Sequence, residues 1–141
     1  MTATKQRLKA WAEAFIQERV AAARAAMDEA QAAANSEEKS SAGDKYETGR
    51  AMGHLQKELH ARQLTEALGD LAALHAVPTQ AMTACTLGAL VETAQARLFI
   101  SIGLGKQVVD GEPVIFLSPM APLAKQLMGK RPGEGPVVGV S

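Results

Sequence analysis

The chain has 141 residues, 47% of them hydrophobic, a size that suits one ordinary domain or two small ones. Its 15 Lys and Arg balance 15 Asp and Glu, and residues 1–34 and 77–141 each hold five positive and four negative side chains; with no net field and no basic block, autonomous nucleic-acid binding is disfavoured. The single cysteine, Cys85, excludes an internal disulfide or a Cys-based zinc site, and the charged amphipathic start is neither a signal peptide nor a membrane span, so a cytoplasmic location is expected.

From about Thr4 to Ala34 there is no Gly or Pro and Ala dominates, which predicts a long helix. Leu8, Trp11, Phe15, Ile16, Val20 and Met27 fall mostly three and four apart, forming a stripe that is bulky near the chain start and thins to methyl groups at Ala30, Ala33 and Ala34. Asn35, Ser36, Ser40, Ser41 and Gly43 are helix breakers and predict a bend. Asp44 then caps a second helix, with Glu47 three residues on, the spacing of a capping box. The same two carboxylates also form an acidic pair displayed at the end of a helical hairpin. The second helix is expected from about Asp44 or Lys45 to His75, with a stripe of Met52, Leu55, Leu59, Leu64, Leu68, Leu71 and Leu74. A change of phase between Leu59 and Leu64 resembles a coiled-coil stutter. Residues 1–77 thus read as a helical hairpin with an acidic tip.

Pro78 ends that helix, and residues 78–86 read as a linker. Residues 87–141 change in composition. Leu87–Thr93, Arg97–Ile102 and Pro113–Leu117 are rich in Val, Ile, Leu and Phe and read as strands. Ala94-Gln95-Ala96 makes a short hairpin turn, and Gly103–Glu112 a longer link with a small strand at Gln107–Val109. Ser118-Pro119 opens a helix through Leu123 and Leu127 that Gly129 stops, and Pro136–Val140 is a last strand. The expected fold is α+β: an antiparallel helical hairpin, or coiled coil, followed by a small antiparallel sheet with one helix.

No reactive constellation emerges. Cys85 lies in the linker without a local activating pattern, so it reads as a small hydrophobe rather than a nucleophile. His54 and His60 are six apart, wrong for two metal ligands on one helical face. Gly103-Leu104-Gly105-Lys106 lacks the spacing and the following helix of a phosphate loop and reads as a turn. A stand-alone enzyme is not expected.

Two motifs carry a resemblance. Gly43-Asp44-Lys45-Tyr46-Glu47 resembles the tip motif of the Gre family of bacterial transcript cleavage factors, Gly-Asp followed by two variable residues and Glu. Ser118-Pro119 through Leu127-Met128-Gly129-Lys130 resembles that family's C-terminal signature, and Leu87-Gly88-Ala89-Leu90-Val91 is similar to the strand that begins its globular domain. The resemblance covers most of the chain in the family's order and implies an N-terminal coiled coil inserted through the secondary channel of RNA polymerase, with an FKBP-like domain on the channel rim. It further implies that Asp44 and Glu47 help hold a second magnesium ion in the polymerase's own centre, where the RNA 3′ end of a backtracked complex is hydrolysed. Ser118, Pro119, Gly129 and Lys130 would be structural and docking elements. Hard oxygen ligands on a stiff rod suit a two-metal phosphodiester site.

The chain departs from the family in two places, as a truncated or divergent member would. Thr48-Gly49-Arg50-Ala51-Met52 stands where the family continues with Asn-Ala-Glu-Tyr and a later Arg, so RNA contacts of that run do not carry over. The chain stops at Ser141, short of most of the family's final β-hairpin, which predicts an open sheet edge near Val137–Val140 covered by a second copy or by the hairpin base. The expectation is therefore a polymerase-binding elongation regulator that is not an enzyme alone and has no membrane partner, homo-oligomerisation being an open possibility. A channel binder without cleavage activity and an FKBP-like interaction module unrelated to polymerase are the alternatives.

Overall fold

The computed structural model describes residues 2–39 and 43–141, with side chains over residues 3–36 and 51–141. The chain is α+β. Two long helices, α1 (Thr2–Lys39) and α2 (Gly43–His75), precede β1 (Leu90–Thr93), β2 (Arg97–Ile100), β3 (Gly105–Val109), β4 (Glu112–Leu117), α3 (Pro122–Leu127) and β5 (Val137–Val140). These elements form two compact units, Ala14–Leu71 and the combination of Met1–Glu13 with Ala72–Ser141.

In the helical unit, α1 and α2 pack antiparallel. Along α1, Ile16, Val20, Ala23, Ala30 and Ala34 are buried, with half-buried Met27 completing a four-three alternation. Along α2 the facing track is Gly53, Lys57, His60, Leu64, Ala67 and Leu71, all buried or half-buried at the same alternation. The track is an unbroken heptad, so the stutter expected between Leu59 and Leu64 is absent. The expected stripe is corrected with it: Met52, Leu55, Leu59 and Leu68 are 56%, 65%, 46% and 40% exposed. Against Ala30 and Ala34 there is room for a Gly or a long flexible stem and none for Leu. A Cβ built at Gly53 would meet the Ala34 Cβ at 3.0 Å.

The first helix also runs past its expected end. Asn35 and Ser36 lie inside α1. The Asn35 side chain does not compete for backbone groups but accepts a 3.0 Å hydrogen bond from Gln31 Nε2, while Gln31 Oε1 accepts 2.7 Å from Lys57 Nζ on α2. This bridge fixes the register of the two helices, as a polar residue at a seam position does.

In the other unit the strand order is β3-β4-β2-β1-β5. Three pairings are antiparallel, but β2 and β4 run parallel, which corrects the expectation of an antiparallel sheet. The physical reason lies in β3. The small strand expected at Gln107–Val109 extends over Gly105–Val109 and is turned onto β4 by Asp110 and Gly111, both at positive φ (51° and 80°), as a two-residue hairpin turn requires. Polar β3, with Lys106 and Gln107, takes the edge, and apolar β4 inserts beside β2.

The sheet is covered on both faces. Leu98 and Ile100 point with Val91, Val137, Ala89 and Cys85 into a core closed by Ala124 and Leu127 of α3. Phe99 and Phe116 point the other way, 6.0 Å apart edge to face, and Trp11 of α1 stacks on Phe116 at 5.6 Å. Trp11 therefore belongs to the sheet, not to a helix-helix stripe, and Phe15 lies under the Arg19 guanidinium at 4.7 Å. α3 starts at Pro122, in the first turn, instead of after Ser118. Ser118 makes a turn of its own, its Oγ accepting from the Met120 N–H at 3.1 Å.

Candidate functional site

Positions 44 and 47 lie within the first turns of α2, just after the connection from α1, so they share one side of the helix a single turn apart. Since α2 begins at Gly43, Asp44 sits inside the helix instead of before it. The expected carboxylate contacts, and the bend residues Ser40 and Ser41, lie outside the described residues. Among the described residues, no group of three His, Cys, Asp or Glu could hold a metal ion.

The four expected docking residues bracket α3. Ser118 and Pro119, both half-buried, form the turn before it. Gly129, at φ +82°, and Lys130 end it, and their backbones clamp the linker: Gly129 N–H donates to Cys85 O at 2.8 Å and Cys85 N–H to Lys130 O at 2.8 Å. The signature thus serves first to hang α3 on the sheet. Its two halves sit at opposite ends of α3 and do not converge on one site.

Beside α3 lies a feature the sequence did not announce, a cavity of about 720 Å³. Leu98 and Ile115 of the sheet, Leu123 and Leu127 of α3, and Pro113 and Pro136 line it, with Arg97, Lys106 and Glu112 supplying the polar groups. Its signal was diluted, because those residues come from five separate stretches. Arg97 donates from Nη1 to Glu112 Oε2 at 2.7 Å, while its buried Nε has no hydrogen-bond partner and lies 3.7 Å from Glu92 Oε1. A cavity of this size with few polar groups accepts an apolar side chain or ligand.

Cys85 is 1% exposed and burial raises its thiol pKa, so it is inert at neutral pH. His75 lies 3.3 Å from Glu13 through Nε2, and His60 Nδ1 is 2.9 Å from Gln63 Oε1. Neither histidine has the geometry of a catalytic base beside a nucleophile. No helix of the described residues is long and apolar enough to cross a membrane. No protein-family model, curated protein or solved structure matches the chain.

Proposed function

We propose that the chain is a Gre-like regulator of transcription elongation in the cytoplasm. Its helix pair enters the secondary channel of RNA polymerase, and its sheet unit, FKBP-like in kind, docks on the rim. One observation carries the reading: the Gly-Asp-x-x-Glu motif opens α2 directly after the connection of an antiparallel, heptad-packed helix pair. Asp44 and Glu47 are the metal-holding pair. Two carboxylates one turn apart can supply only some of the six oxygens magnesium takes, which suits an ion shared with the polymerase. When bound there, magnesium stabilises charge on the scissile phosphodiester and its attacking water. Asp44 and Glu47 contribute hard oxygens, and the seam and the Lys57–Gln31 bridge hold the helices that carry them.

The test is cleavage of backtracked RNA by core polymerase. Added protein is expected to accelerate cleavage. Asp44→Ala and Glu47→Ala should each remove the gain at least about tenfold, since even outer partners of a metal site are worth 10–100-fold. Binding to core polymerase should survive both changes. If the unmodified protein binds polymerase but accelerates nothing, the cleavage role is wrong. If it does not bind at all, the polymerase reading is wrong.

A further inference from the structure

The outer side of α2 repeats the heptad of its seam. Met52, Leu55, Leu59, Arg62, Glu66 and Gly69 follow one another at spacings of three, four, three, four and three, and every one is exposed. Three bulky apolar side chains on one line are more than a solvated helix face needs, and their 46–65% exposure leaves about half or more of each without cover. Within the line, the stretch Leu59, Arg62, Glu66 and Gly69 is its own complement when reversed. A Cβ at Gly69 would meet nothing within 4 Å, so that position is an open notch. Arg62 and Glu66 sit between, with opposite charges, and neither forms an ion pair among the described residues.

We propose that this face binds a second copy of the chain, α2 against α2 and antiparallel, about a two-fold axis at the level of residue 64. That symmetry sets Leu59 of each copy opposite the Gly69 notch of the other and Arg62 opposite Glu66, twice over. An isologous interface of this kind must be self-complementary in both size and charge. A parallel pairing would set Arg62 against Arg62 and leave the notches facing one another. The matched stretch Leu59–Gly69 is about 16 Å long and offers less than the ~800 Å² per partner of a standard stable interface, so pairing is expected at micromolar concentration. The inference stands independently of the polymerase reading.

Sedimentation equilibrium of the full chain across about 1–500 µM tests it. The apparent mass should rise from one chain to two. Leu59→Glu should weaken association at least about tenfold, as loss of a central apolar anchor does. Arg62→Glu and Glu66→Arg should each weaken it through two symmetric like-charge contacts, and the double reversal should restore it. All of these positions are exposed, and circular dichroism checks that helix content is unchanged. A single-chain mass throughout the range overturns the proposal. So does a dimer that ignores Leu59→Glu, or one that the double reversal fails to restore.

Discussion

Lys5 is the most constrained side chain in the sheet unit. It is fully buried, and its Nζ donates to the carbonyls of Gln80, Gly88 (2.8 Å) and Ser141 (3.1 Å). One turn along, Lys9 donates to His75 O at 3.1 Å and Val77 O at 2.7 Å, satisfying carbonyls left open where α2 ends. Burial pushes the Lys5 ammonium below its ordinary pKa because the charge has lost its water. The unfolded chain then holds the proton to higher pH than the folded one, so stability should rise with pH between the lowered value and the ordinary lysine range. Lys5→Met takes the donor from Gln80 O and Gly88 O, while Ser141 O keeps the Leu90 N–H at 3.2 Å, and should cost about 1–3 kcal/mol. Thermal melts across mildly alkaline pH check both statements: the variant should melt several degrees lower and lose that pH slope. An unchanged melting temperature would show that the three contacts carry no net energy. Nothing in the sequence marked this residue, since a lone Lys in an alanine-rich helix reads as solvated. Its partners are backbone carbonyls 75 or more residues away.

At the level of elements, helix existence, strand content and the inward side of α1 were legible, and which side of α2 faces inward was not. Alanine lengthened α1 past Asn35, and apolar runs located β1, β2 and β4. The α2 side of the seam was misread because bulk was taken as the mark of the interior. Where two helices approach closely the interior residue is the small one, and Gly53, Ala67, Ala30 and Ala34 hold it while Met52 and Leu55 stay outside. Two substitutions separate these accounts. Gly53→Leu forces a branched side chain against Ala34, and overpacking of about 1–3 kcal/mol should exceed the ~1 kcal/mol of helix propensity regained. Leu55→Ala, in dilute solution, should change stability by no more than about 0.5 kcal/mol. Urea melts followed at 222 nm give both values, and a costly Leu55→Ala with a neutral Gly53→Leu would restore the bulky stripe. For the candidate site, the motif at 43–47 was visible because it is contiguous. The cavity beside α3 was not, since it depends on which strands pair: β3 pairs with β4 and brings Lys106 beside Ile115.

On the scale of the whole molecule, the sheet unit is built from both ends of the sequence. Leu8 and Trp11 cover the face that bears Phe99, Val114 and Phe116. A fragment of residues 72–141 would keep every strand and lose that cover. It is expected to show strand signal in far-ultraviolet circular dichroism but neither near-ultraviolet signal nor a cooperative melt. A cooperative melt equal to the full chain's would show the N-terminal layer to be dispensable. The cavity belongs to this scale too: Leu123 lines it and is 42% exposed, and on the proposal that the sheet unit docks through it, Leu123→Asp should weaken capture by core polymerase while leaving the melt unchanged. The Lys5 contact with Ser141 spans 136 positions. At ~5–20 residues per second on the ribosome, the opening turns of α1 must wait on the order of ten seconds for their sheet to exist. During that interval Leu8 and Trp11 lack the sheet that covers them, and a nascent chain would depend on shelter at these two residues until it forms.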